Sequence, residues 1–282
     1  HCANEMNMFN DDPCPQWPRF MGRIDSLEDV KKLIDGYDCG VAYADQLTGQ
    51  IFDKLKELGI YEDTAVIITA DHGENLGELG IYSEHATADH PCCHIPLVLK
   101  WPGGQKGHVD QELHYNLDLV PTMADLFHVG KIRHLGWRQY GGDVFWIGKD
   151  AGRDSLVLSQ MAHVCQRSAR FGDWLYVRSY HDGFHLFDRE MLYNLKIDVH
   201  EQKDVKDEHP EICARGAKII LDWQDKAMTE SPYTQDPLWT VMKENGPYHT
   251  WNSLPAYLKR LEETGRKEGA DKLRERYAKQ LK

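Results

Sequence analysis

The chain has 282 residues, 41% of them hydrophobic, enough for one large α/β domain or a domain with an appended subdomain. Its 33 Lys and Arg face 45 Asp and Glu, and no basic run is dense enough to track a phosphate backbone, so nucleic acid is not an expected partner. No stretch approaches a membrane span, and the opening "HCANEMNMFN" has neither the basic region nor the apolar core of a signal peptide, so no membrane association is expected. The chain begins at His1, so the true N-terminus and any export signal are expected upstream; seven cysteines without framework spacing read as reduced thiols, which leans the localisation towards cytoplasmic.

Residues 1 to 24, punctuated by Pro13, Pro15, Pro18 and Gly22, read as an irregular surface segment. From Asp25 the texture changes. Leu27, Val30, Ile34, Tyr37, Val41, Ala44, Thr48, Ile51, Leu55 and Leu58 recur at spacings of three and four and predict one face of a long helix. Ser26 and Asp29 suit its N-cap and Gly59 its stop, while Gly36 and Gly40 mark a bend or a close approach. Thr64 to Ala70 is short, apolar and β-branched, the pattern of a strand buried on both faces of a parallel sheet, and Ile95 to Trp101 is a second such run. The loop between them, residues 71 to 94, is too long to be idle in a compact domain.

Leu117 to Phe127 predicts a helix and Gly130 to Gly152 a glycine-rich connection. After about residue 165 the aromatic-rich runs "WLYVRSY", "FHLFD" and "MLYNL" predict short antiparallel strands, followed by an amphipathic helix from Pro210 to Met228. The charged tail "LKRLEETGRKEGADKLRERYAKQL" predicts a helix with a solvated face. The domain expectation is therefore an α/β portion over 1–160, a small α+β subdomain over 161–230 and a helical tail over 231–282.

Asp71-His72 stands where strand 64–70 would end, and ligands of open parallel sheets bind beyond the carboxyl ends of strands. A carboxylate beside a neutral imidazole can hold Ca, Mg, Mn or Zn, and Gly73 lets the backbone turn sharply enough to aim both inward. The alternative is a strand-end turn in which Asp71 caps backbone N–H groups and His72 is merely polar; spacing alone leaves the two open. The vicinal Cys92-Cys93 between His90 and His94 invites a zinc reading, but adjacent cysteines seldom both ligate one tetrahedral ion, and Pro91 with the following strand suggests packing into the core.

The stretch Asp71-His72-Gly73-Glu74-Asn75-Leu76-Gly77-Glu78, with Gly80, Ile81, Tyr82 and His85 and then Ile95-Pro96-Leu97-Val98 and Lys100-Trp101-Pro102-Gly103, resembles the sulfatase family of the alkaline phosphatase superfamily. The order of further motifs agrees: "HYNLDLVPTMADL", "GGDVFWIGKD" and "FGDWLYVRSY…LYNLKIDVHEQKDV" are similar to later segments of that family, so the resemblance covers roughly residues 25 to 225. It implies an α/β fold of sulfatase type, a mostly parallel sheet flanked by helices with a small C-terminal antiparallel α+β subdomain. It further implies Asp71 and His72 as ligands of a divalent metal, calcium being the family's usual ion and manganese or zinc occurring in relatives. His85 is then the group that contacts the ester's sulfate or leaving-group oxygen, with His90 and His94 as weaker candidates.

The family's nucleophile is a Cys or Ser in Cys-x-Pro-x-Arg, converted to formylglycine, and none of the seven cysteines here has that context. Asp11-Asp12 lies in a proline-rich loop and reads as solvent-exposed, although His1, Asn4 or Arg19 could line a pocket. The expectation is therefore a sulfuric ester hydrolase whose nucleophile segment and first strands come from an upstream N-terminal half. Its substrate would be a small-molecule or glycan sulfate ester, and homo-oligomerisation stays open. The rivals are a phosphonate monoester or phosphodiester hydrolase on the same scaffold and a non-catalytic module.

Overall fold

The computed structural model describes residues 24–104, 106–127, 153–230 and 235–281. Cys2, Cys14, Asp11-Asp12, His1, Asn4, Arg19 and the segment "GGDVFWIGKD" lie outside them. The chain divides into two compact units, one of His1–His108, Phe184–Leu186 and His249–Lys282, the other of Val109–Gly183 and Phe187–Tyr248.

The first unit opens with α1 (Leu27–Glu57), whose Ser26 is extended and accepts the Asp29 N–H on its hydroxyl while that hydroxyl donates to the Asp29 carboxylate at 2.8 Å. The Ser26 hydroxyl holds the Asp29 carboxyl below its usual range. Gly59, at φ +69°, takes the left-handed conformation past the helix end. The helix runs uninterrupted through Gly36 and Gly40, and a Cβ on Gly40 would meet nothing within 4 Å, so no close approach occurs at Gly40. Leu33 is the residue α1 buries, in a small cluster with Ile24, Val30, Leu76 and Tyr82. The predicted stripe of Ile34, Tyr37, Val41 and Ile51 stays exposed.

Strand β1 (Val66–Thr69) is followed by β2 (Asn75–Leu76), β3 (Tyr82–Glu84), the one-turn helix α2 (His90–Cys93) and β4 (Leu97–Lys100). β1 and β4 pair with each other antiparallel, Val66 opposite Lys100 and Thr69 opposite Leu97, and β2 pairs antiparallel with β3. The reading of two fully buried parallel strands is thus corrected for this pair: Ile68, Val98 and Leu99 remain exposed, because among the described residues β1 and β4 have only each other as ladder partners. Lys100 Nζ donates to the carbonyls of Tyr61, Glu62 and Thr64 and sits 4.5 Å from the Tyr61 ring, fixing the end of β4 to the turn that precedes β1.

The tail also departs from expectation. It forms two helices, α6 (Leu254–Glu263) and α7 (Lys267–Arg276), separated at Gly265, whose φ of +79° a helix cannot continue. Leu254, Tyr257, Leu258, Leu261, Ala270, Leu273 and Tyr277 close a core around Phe184. The charges cover the outside of a packed pair, so the tail is more than a solvated face. Phe184 and Leu186 have φ of +72° and +63°, which excludes the strand expected at "FHLFD".

In the second unit a 3-10 turn leads into α3 (Leu119–Leu126), and the buried Asp118 just before it takes both guanidinium nitrogens of Arg153 at 2.6 and 2.7 Å. An antiparallel meander follows: β5 (Ser155–Gln160), β6 (Cys165–Phe171), β7 (Trp174–His181) and β8 (Glu190–Asn194) in sheet order. Its covering helix, α4 (Pro210–Glu230), lays Ile220 against Val157, Ala169, Phe171, Tyr176 and Leu192. The contact is close enough that a Cβ on Gly216 would lie 2.4 Å from the Tyr176 Cβ, so only glycine fits. Beyond it, Asp236 caps α5 (Pro237–Lys243) and pairs with the buried Arg167 at 2.7 Å. Strand β5 had no expectation in the sequence.

Candidate metal centre

β1 stops at Thr69, whose hydroxyl donates to the Pro96 carbonyl at 2.8 Å, and Asp71, His72 and Gly73 follow at once. Gly73 donates its N–H to the Cys92 carbonyl at 2.8 Å, and a Cβ there would lie 1.9 Å from the Pro91 carbonyl oxygen. The turn that carries Asp71 and His72 is therefore pressed onto α2, and glycine is needed for close approach.

A buried polar cluster holds the same place from below. Asn75 donates to Asp89 Oδ2 at 2.6 Å and accepts from the Cys92 thiol at 2.9 Å and the Thr87 hydroxyl at 3.2 Å. Asp89 caps α2 by accepting the Cys92 N–H. Burial pushes the Asp89 carboxyl up, and burial followed by the nearby Asp89 charge pushes the Cys92 thiol far up. Cys92 is an inert packing group, as its position before a strand suggested. These bonds join the start of the loop, 73–75, to its end, 89–92, and leave His85 presented between them.

His72 and His85 come together: their rings stack with centroids 3.8 Å apart and planes inclined by 21°. His72 Nδ1 lies 2.8 Å from the Gly73 carbonyl, which can only accept, so Nδ1 is the donor of that bond. Asp71 is the outermost member, its side chain 90% exposed, with Oδ1 accepting the His72 N–H at 3.0 Å and Oδ2 3.8 Å from His72 Nε2. Backbone N–H groups, then the neighbouring His72, hold its carboxyl below the ordinary value. Burial, then the nearby His72, lowers His85, which favours a neutral ring near neutral pH.

Glu74 had no role in the sequence reading. Its carboxylate is half-buried, is pushed up by desolvation, and makes no hydrogen bond among the described residues. One donor atom each from His72, Glu74 and His85 lie within 4.8 Å of one another, the group of metal-ligating side chains found among the described residues. Its spacing from His72, two residues on, was the available signal. Cys92 and Cys93 are not in this group, and His90 and His94 stack on each other with centroids 4.5 Å apart.

The sulfatase family model matches residues 4–129. Over 248 residues the chain is 27% identical to a choline-sulfatase of Rhizobium meliloti (strain 1021), covering 81% of this chain and 45% of that protein. Among solved structures it is similar to the BT4656 protein in complex with its substrate D-glucosamine-2-N,6-O-disulfate, with a TM-score of 0.59 and 18% identity over 73% of this chain and 43% of that one. It is also similar to a phosphonate monoester hydrolase of Agrobacterium radiobacter, with a TM-score of 0.56 and 20% identity over 73% of this chain and 44% of that one. Likeness at such identity shows the fold, an α/β fold of sulfatase type. The chain spans less than half the length of these relatives.

Proposed function

We propose, from the match of the sulfatase family model to residues 4–129 and the likeness to a choline-sulfatase, that the chain is part of a metal-dependent hydrolase of sulfuric esters. The observation that carries the reading is the pairing of His72 with His85 beside Asp71 at the end of β1, on a turn that only glycine can make. In this reading Asp71 and His72 supply ligands to a divalent cation, calcium by family usage and manganese or zinc by the imidazole in the set. When bound, the cation neutralises the anionic ester and polarises its oxygens.

His85 is the oxygen-contacting group. Its ring, kept neutral by burial and by the neighbouring His72, can donate an N–H to an ester oxygen without carrying a charge of its own. Asn75, Asp89 and Gly73 hold the loop so that His85 faces His72. The nucleophile is proposed to be a formylglycine from a segment outside these 282 residues, since no cysteine among them stands in Cys-x-Pro-x-Arg. The substrate class is a small-molecule or glycan sulfate ester.

An upstream polypeptide is proposed to cover the apolar stripe of α1 and the outer faces of β1 and β4, where Tyr37, Val41, Ile51 and Val98 are exposed. Peptide mapping of the purified protein tests this: a polypeptide carrying Cys-x-Pro-x-Arg, with its cysteine converted, is expected. Turnover of aryl sulfate by that preparation, lost on Asp71→Ala and on His72→Ala together with its metal, is the expected activity. Faster turnover of a phosphonate monoester than of a sulfate would transfer the reading to the rival that the Agrobacterium neighbour favours. No turnover of either by a metal-loaded preparation would leave a binding module.

A further inference from the structure

His72 and Glu74 lie two residues apart on the turn after β1, and His85, which follows β3, is folded back onto them. His72 donates Nδ1–H to the Gly73 carbonyl, the bond that in metal sites orients an imidazole and exposes its other nitrogen. Glu74 holds a half-buried carboxylate that no hydrogen bond satisfies among the described residues, and its electrostatic partner is His72. His85 lies against His72 with nearly parallel rings. The three donor atoms span at most 4.8 Å. Donors on one tetrahedral zinc at about 2.1 Å would be ~3.4 Å apart, so binding would draw the three closer together.

We infer that His72, Glu74 and His85 form a three-ligand site, two imidazoles and one carboxylate, for a borderline divalent cation of the zinc class, available on this chain while no ester occupies the site. The donor set selects the cation: two nitrogens and one oxygen with an open fourth position suit zinc or cobalt, whereas calcium asks for six or more oxygens. Asp71, outside the trio and almost fully exposed, is not required for this binding. The inference rests on the sulfatase reading for the presence of a cation at the end of β1. It goes beyond that reading in making Glu74 and His85 ligands, since in the ester-free chain His85 has no ester oxygen to contact.

Zinc titration of the full chain by calorimetry tests it, with cobalt as a second probe whose visible bands report four-coordination. One equivalent of zinc is expected. Glu74→Gln and His85→Ala are each expected to weaken binding about tenfold or more, the loss that even an outer-shell partner of a metal can cause. Asp71→Asn should change it by less than about threefold on the same scale. Should His85→Ala fail to fold, His85→Gln keeps the ring volume in part and removes the ligand, and the cobalt bands should fall with it. Zinc binding that survives Glu74→Gln and His85→Ala but is lost in Asp71→Asn overturns the inference, as does a wild-type chain that takes no zinc. Neither outcome touches the sulfatase reading, which stands or falls on turnover by the preparation containing the upstream segment.

Discussion

The meander β5–β8 and the pair β1–β4 are both antiparallel, yet one is covered and the other is open. In the meander, Ala169, Phe171, Leu175, Tyr176, Val177 and Leu192 are fully buried, and α4 closes one face with a glycine against Tyr176. In the open layer, β1 and β4 leave Ile68, Val98 and Leu99 in water, and the 31-residue α1 buries Leu33. The meander has α4 laid on it, whereas Ile68, Val98 and Leu99 of β1 and β4 have no comparable cover among the described residues. Exposed apolar faces of this kind are what the proposed upstream polypeptide would cover.

The largest expected effect is in the covered layer. Gly216→Ala places a Cβ 2.4 Å from the Tyr176 side chain, and neither helix nor sheet can give way without opening the core. A loss of about 3 kcal/mol is expected in denaturant unfolding, at the upper end of overpacking costs. An unchanged midpoint would mean that α4 is not seated as described.

A pH effect of about 2 kcal/mol comes next and belongs to the same layer. Burial pushes the Cys165 thiol from 9.0 up to about 11. An acid whose folded pKa is raised is neutral in the folded state while the unfolded chain ionises first. Its contribution is therefore fully present below pH 9 and is lost as pH rises from about 9 to about 11. Cys165→Ser, which does not ionise in that window, should flatten this alkaline fall when unfolding is followed against pH. A wild-type stability that is flat between those limits would contradict it.

What the sequence could say differs between the layers for the same reason. The ends of α1 were legible because Ser26, Asp29 and Gly59 act locally, through hydrogen bonds and a left-handed φ that do not depend on neighbours. The two strand cores at 66–69 and 97–100 were legible from their short apolar runs, but their exposure was not, since periodicity reports which face is apolar and not whether anything meets it. The tail hid its hairpin because Leu258, Leu261 and Leu273 are diluted among charges, and only Phe184, distant in sequence, shows what they pack on. In the site, Asp71, His72 and His85 were reached through resemblance. Glu74 was passed over because a Glu after His-Gly carries no periodic signal, and its half-buried, unbonded state is visible only in three dimensions.

In the open layer Leu33→Ala and Ile34→Ala separate cover from composition. Leu33 is 5% exposed and packs in the cluster with Ile24, so its truncation should cost about 2 kcal/mol, at the low end for Leu→Ala because that core is small. Ile34, 37% exposed on the predicted stripe, should change stability by no more than ~0.5 kcal/mol. Equal costs would mean that the stripe is already covered within this chain.

The smallest effect on stability is also the sharpest on the comparison. Val41→Lys exchanges a 55% exposed β-branched residue of α1 for a long charged one that helix geometry tolerates well, so the chain by itself should unfold within ~0.5 kcal/mol of wild type. If an upstream polypeptide covers the stripe, the same lysine is driven into an apolar interface without a partner, and burying an unpaired charge costs several kcal/mol. Co-expression of the two polypeptides, followed by co-purification on a tag carried by the upstream one, should recover wild-type chain and lose Val41→Lys. Recovery of both would show that the open face of α1 is not where the proposed upstream polypeptide docks, and the exposed apolar residues of β1 and β4 would then have to carry the association by themselves.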